Sequence, residues 1–160
     1  MNIPVEKNRR WVALLQKSIA GLDERQQAAL MEPCGQGCAE DILVLCRKFL
    51  GRKVGSIDDL VEGWNRIREQ RGLTGRWERL QDGFEGVFGE CGCPLVSSGL
   101  VELGPVHCWC SQGMMGTIFS KVAGRPVQVE LRKTIGRGDR VCHFLVKLSA
   151  PPDAAAQEHN

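Results

Sequence analysis

Apolar residues in the N-terminal half of the chain recur at three- and four-residue intervals. Trp11, Leu14, Leu15 and Ile19 form one such stripe, which predicts an amphipathic helix from about Glu6 to Ala20 with Gly21 as its stop. Asp23 is placed to cap a second, short helix through Met31, and the run from Pro33 to Gly37 then breaks the pattern. From Cys38 the stretch AEDILVLCRKFL is again helical, with Ile42, Leu45, Cys46 and Phe49 on one side and Gly51 at its end. Ser56, followed by Asp59, can cap a further helix whose stripe is Ile57, Leu60, Val61, Trp64 and Ile67, closing at Gly72.

Beyond Gly72 the period changes. Segments near Arg76 to Gln81 and Phe84 to Glu90 are short, glycine-flanked and partly alternating, which predicts a hairpin turning at Asp82-Gly83. Met114, Met115, Ile118, Phe119 and Val122 mark a helix over Ser111 to Val122, stopped by Gly124 and Pro126. Val127, Val129 and Leu131 alternate with polar residues as a strand does, and Val141 to Leu148 supplies another, with a turn at Gly136 to Asp139 between them. The pattern therefore predicts an α+β fold: N-terminal helices followed by an antiparallel sheet with one helix packed on it. Residues 1–149 form a single domain, and the tail 150–160, APPDAAAQEHN, has nothing to bury and is expected to be disordered.

Charge narrows the function. The formal net charge of the 160 residues is only +2, with acidic and basic residues interleaved, which argues against a nucleic-acid partner. The densest basic stretch, Arg66, Arg68, Arg71, Arg76 and Arg79, is threaded with Glu62, Glu69 and Glu78 and reads as a solvated face. No run approaches the roughly 20 apolar residues that span a bilayer, and the N-terminus is amphipathic rather than signal-like, so a soluble, cytoplasmic protein without a membrane partner is expected. In that compartment cysteines are thiols or metal thiolates.

Eight cysteines are present, and six come as close pairs: Cys34 with Cys38, Cys91 with Cys93, and Cys108 with Cys110. Two sulfurs held near each other suit a soft metal ion, and all-sulfur tetrahedral ligation favours zinc, with an iron–sulfur cluster as the rival. The spacings match no standard zinc-finger arithmetic. Cys46, alone in an apolar stripe, reads as core packing, and so does Cys142. His107, next to Cys108, can take a sulfur's place in a mixed site, whereas His143 is expected at the surface if Cys142 is inside. The Arg137-Gly138-Asp139 triplet is explained by a turn.

The segment HCWCSQGMMGTIFSKVAGRPVQVELRKTIGRGDRVCHFLV, with the upstream CGCPLV, resembles the C-terminal half of a 4-vinyl reductase domain, a small-molecule-binding module also used as the sensor part of aromatic-responsive regulators. It also resembles cysteine-rich relatives near the L-2-amino-thiazoline-4-carboxylic acid hydrolase family. The resemblance spans roughly residues 91–148 and rests on a cysteine opening a helix, Gly124-Arg125-Pro126 closing it, a strand, a glycine-rich turn and a final cysteine before an apolar strand. It implies a zinc site with Cys108 as first and Cys142 as last ligand. The two middle positions hold Leu131 and Thr134 instead, and Glu130 is one residue out of register.

Together these readings favour a non-catalytic metal-binding module for a small apolar or aromatic ligand, with Trp109, Met114, Met115 and Phe119 as candidate lining, and they leave room for a homodimer. Two alternatives stand beside it. One is a cysteine-dependent hydrolase using His107 or His143 as base, and the other a thiol redox protein exchanging at Cys34 and Cys38.

Overall fold

The helical periodicity of the N-terminal half is realised as three helices rather than four. In the computed structural model, which describes residues 3–148, these are α1 (Ile3–Ala20), α2 (Glu24–Leu50) and α3 (Ile57–Gln70). Asp23 starts α2 with a full capping box: its Oδ1 accepts from the Gln26 N–H at 2.9 Å, while Gln26 Oε1 accepts from the Asp23 N–H at 3.2 Å. The helix then runs through Pro33, Gly35 and Gly37, where the sequence predicts a break. A proline and a glycine inside a helix cost about 3 and 1 kcal/mol respectively, so something must offset them. The offset is a backbone-to-backbone crossing with α5 (Pro105–Ala123). A Cβ on Gly35 would lie 1.8 Å from the Cys110 carbonyl oxygen, and one on Gly113 would lie 2.3 Å from that of Glu32. Gly35, inside the run read as a break, and Gly113 are the notches that let the two helices close, burying Ala39 and Leu43 beside them.

α3 follows its predicted stripe. Ser56 Oγ accepts from the Asp59 N–H at 3.1 Å, and Leu60, Val61, Trp64 and Ile67 are buried. Arg68 is buried with them, contrary to the solvated face expected of this stretch. α1 departs in the opposite sense: the helix forms, yet Trp11 is 65% and Leu14 59% exposed, and only Ile19 of its stripe is half-buried. Periodicity sets the helix, but its apolar face finds little to cover among the described residues.

Strands β1 (Gly75–Leu80) and β2 (Gly83–Phe88) form the expected hairpin, with Leu80 opposite Gly83 so that Gln81-Asp82 makes the turn, one residue earlier than the sequence suggests. A short helix, α4 (Pro94–Ser97), precedes α5. β3 (Gln128–Lys133) and β4 (Cys142–Lys147) complete an antiparallel sheet of order β1-β2-β4-β3. The Gly136–Asp139 turn is a 3-10 turn closed by Gly138 at φ 98°, with Thr134 Oγ1 accepting from the Arg137 N–H at 3.1 Å. The architecture is α+β, as the pattern predicts.

The core lies between the helices and one face of the sheet. Trp77 of β1 is its centre, with ring centroids 5.1 Å from Phe119, 5.4 Å from Phe88 and 5.7 Å from Trp64 in edge-to-face contacts. Among the described residues no helix is long and apolar enough to cross a membrane. The predicted disordered tail, 150–160, lies outside the described residues.

Candidate functional site

Beside this aromatic core the helices and sheet leave a cavity of about 220 Å³. α2 contributes Cys38, Asp41, Ile42 and Leu45 to its wall, and α3 contributes Trp64, Ile67 and Arg68. The sheet adds Phe88, Cys142 and Phe144, and α5 adds His107, Cys110, Met114 and Met115. The segment from Glu90 to Pro94, between β2 and α4, closes it. A larger groove of about 670 Å³ runs between α3 and β1, but it is open to solvent and crossed by the Arg66–Glu62 and Arg79–Asp58 pairs. The enclosed, mostly apolar cavity with few polar groups has the character of a ligand site.

Of the residues expected to line a pocket, Met114 and Met115 do so. Phe119 is fully buried in the core, and Trp109 faces elsewhere, donating from Nε1 to Gln27 Oε1 at 3.3 Å under the guanidinium of Arg137. The sequence missed Arg68 and Trp64, whose position one helical turn apart on the buried stripe of α3 was the available signal.

The cysteines divide among several settings. Cys38, Cys91, Cys93 and Cys110 line the cavity together with Cys142. Cys34 is exposed on α2, where its Sγ donates to the Leu30 carbonyl at 3.6 Å, and Cys38 donates likewise to Cys34 at 3.8 Å. Both therefore lie mid-helix rather than at a helix start. Cys108 is buried on the side of α5 facing the 3-10 turn, its Sγ 2.8 Å from where a Cβ on Gly136 would stand, and it does not line the cavity. Cys46 is fully buried, as expected, and its Sγ donates to the Leu60 carbonyl at 3.7 Å. His143 turns away from the core to Glu85, 2.6 Å from its Oε1, while Cys142 faces inward, the alternation a strand imposes.

Burial sets the chemistry of most of these thiols. It raises the pKa of Cys38, Cys91 and Cys142, with neighbouring thiols adding to the effect, and pushes Cys46 and Cys110 up to about 12. Cys93 goes the other way. Burial opposes its ionisation, but the His107 ring within hydrogen-bonding reach and the backbone N–H groups of Val96 and Leu95 facing the sulfur outweigh that, holding the thiol below its ordinary 9.0. His107 itself is only 5% exposed.

The expected metal centre, Cys34, Cys38, Cys91, Cys93, Cys108 and Cys110, does not assemble as one coordination sphere. Among the described residues no group of three or more His, Cys, Asp or Glu side chains is placed to hold an ion. Helix α2 runs unbroken through Cys34 and Cys38, and Cys108 points away from the cavity that Cys93 and Cys110 face. At the position implied by the family resemblance, Cys108 and Cys142 are neighbours, but Leu131 offers no donor and Thr134 Oγ1 is occupied with the Arg137 N–H. Among the described residues no sulfur site for zinc or an iron–sulfur cluster is assembled, although Cys38, Cys93 and Cys110 are close enough to feel one another's charge.

No family model and no curated protein matches the sequence. Among solved structures, the fold is similar to the phenol-responsive sensory domain of the transcription activator PoxR in complex with phenol. The TM-score is 0.53 at 18% identity over 88% of this chain and 73% of that one. It is similar also to trafficking protein particle complex subunit 3 from Naegleria fowleri, covalently bound to palmitic acid. There the TM-score is 0.54 at 14% identity over 92% of this chain and 94% of that one. At these identities the likeness is one of fold, and of the resemblance read from residues 91–148 it carries the α+β architecture.

Proposed function

We propose that this chain is a small-molecule-binding module that holds an apolar or aromatic ligand in the cavity between α2, α3, α5 and the sheet. The cavity is the observation that carries the reading. At protein-like packing its 220 Å³ accommodates on the order of ten non-hydrogen atoms, the size of a substituted single ring. Met114 and Met115 give it an adaptable wall, and Trp64 a flat aromatic one. Two proteins of similar fold, crystallised with phenol and with covalently bound palmitic acid, support a small-molecule ligand for this architecture. The reading needs neither a metal nor catalysis.

One observation favours the hydrolase as a second reading: Cys93 and His107 are paired on the cavity wall, the nucleophile and base such chemistry requires. No carboxylate hydrogen-bonds His107 among the described residues, so the third member that orients a base is not supplied by a side-chain acid. Binding without turnover is the better fit.

The test is titration with phenol and p-cresol followed through tryptophan fluorescence, because Trp64 is part of the wall. Saturable quenching is expected for the native chain, and its loss in Ile42→Trp, which fills the space from α2 while far-UV circular dichroism stays unchanged. Quenching that never saturates, or that survives the filled cavity, would overturn the proposal.

A further inference from the structure

The cavity wall is mostly apolar, and among its polar groups one is a buried cation. Arg68 is 5% exposed and lies on the cavity wall, its guanidinium 4.1 Å from the centroid of the Phe88 ring. Two of its three nitrogens are engaged. Nε donates to the Gly75 carbonyl at 3.3 Å and Nη2 to that of Thr74 at 2.5 Å. Nη2 also pairs with Glu90 Oε2 at 3.7 Å, a carboxylate that accepts from the Thr74 N–H and hydroxyl, each at 2.8 Å. Nη1, which carries two of the five guanidinium donors, has no acceptor among the described residues. It lies on the side of Gly92, where a Cβ would come within 3.4 Å of it.

The groups around it do not fill that role. Cys91 and Cys142 are near enough to feel the charge, but burial keeps both thiols protonated at neutral pH. Arg71 adds a second positive charge and is itself held by the Gly92 carbonyl at 3.1 Å. Asp41 on α2 is the other carboxylate of the cavity lining, and it is exposed. The two N–H donors of Arg68 Nη1 therefore stay free for an acceptor that enters the cavity, and a hydrogen bond to a charged acceptor is stronger than one to a neutral acceptor.

We infer that the cavity is selective for small apolar acids, with a ligand carboxylate oxygen accepting from Arg68 Nη1 and the aromatic or short aliphatic body packed between Trp64 and the methionines of α5. This deepens the ligand-binding reading and rests on it. With Nε and Nη2 held by backbone carbonyls, the contact is to one nitrogen, and the fixed guanidinium plane sets where the acid group must sit. Gly92 matters because it leaves that nitrogen uncovered.

Matched probe pairs test it: benzoate against benzyl alcohol and trans-cinnamate against cinnamyl alcohol, measured by calorimetry and tryptophan fluorescence at neutral pH. Each acid is expected to bind at least tenfold more tightly than its alcohol. In Arg68→Met that preference disappears while the alcohols bind as before. The comparison within the native chain needs no variant, so it stands if Arg68→Met fails to fold. Equal affinity for acid and alcohol, or an acid preference that persists in Arg68→Met, overturns the inference and leaves the cavity reading intact. Failure of every probe to bind overturns both.

Discussion

Replacing Gly35 and, separately, Gly37 by alanine moves stability in opposite directions, although the two positions are two residues apart in the same helix. At Gly37 a new Cβ meets nothing within 4 Å. The change there gains the ordinary helix-interior difference of roughly 0.5–1 kcal/mol. At Gly35 the new Cβ stands 1.8 Å from the Cys110 carbonyl oxygen and 2.7 Å from the Met114 nitrogen, both backbone atoms of α5. Carbon and oxygen rest at about 3.3 Å, so the helices must part by about 1.5 Å. No side chain can rotate away to absorb that. Overpacking of this kind lies at the upper end of the usual ~1–3 kcal/mol, and the propensity gain reduces it to a net loss of about 2 kcal/mol. At about 2–4 °C per kcal/mol, Gly35→Ala lowers the thermal midpoint by about 4–8 °C and Gly37→Ala raises it by about 1–4 °C. Urea denaturation followed by circular dichroism, with equal slopes, measures both. A Gly35→Ala protein as stable as Gly37→Ala would mean that α2 ends before Pro33, as the sequence pattern has it, and that α5 does not cross there.

Three further outcomes follow from the thiols. Cys46 has its pKa raised from 9.0 to about 12, so the unfolded chain releases this proton first and folding stability falls as pH rises from 9 toward 12. The slope is about 1.4 kcal/mol per pH unit for each such thiol, and Cys46→Ala should flatten the alkaline limb of a stability–pH curve; an unchanged limb would refute the assignment. Cys93 should be the cavity thiol that iodoacetamide modifies first at neutral pH, mapped by peptide mass, with His107→Gln slowing it; faster labelling of Cys91 or Cys110 would contradict the pairing. With no three donors placed around one point among the described residues, exhaustive chelation should leave the thermal midpoint unchanged, and a large drop would restore a structural zinc.

How far the sequence could be read depended on whether the signal was local. The caps at Asp23 and Ser56, the stripe of α3 and the alternation of β3 and β4 are each set by residues within a turn or a strand, and all are found where the pattern puts them. Gly35 was misread because glycine at a helix crossing and glycine at a helix break look identical until the partner helix, some seventy-five positions away, is known. Arg68 was assigned to solvent from the charges around it, although it lies four residues after Trp64 and shares that face. The cysteine pairs announced a special region. Their convergence on a cavity, with Cys108 turned aside, depends on the packing of α2, α5 and the 90–94 segment and left no trace in spacing.

The cavity also has a thermodynamic argument behind it. At about 24 cal/mol per Å³, a space of 220 Å³ that was sealed and dry would forfeit up to about 5 kcal/mol relative to a filled core, and water entering from the open side reduces that figure. That is comparable with the whole stability of a domain this size, so an accidental void of these dimensions would be an expensive flaw. Larger side chains at Ile42, Leu45 or Met114, all half-buried or exposed and bordering it, would close the space at little steric cost. The chain instead places sulfur atoms and a buried guanidinium there, groups that gain most when a guest supplies what the wall lacks. A ligand present at 100 times its dissociation constant returns about 2.7 kcal/mol to the folded state. On the proposed ligand-binding reading, occupancy of the cavity would therefore register as stability.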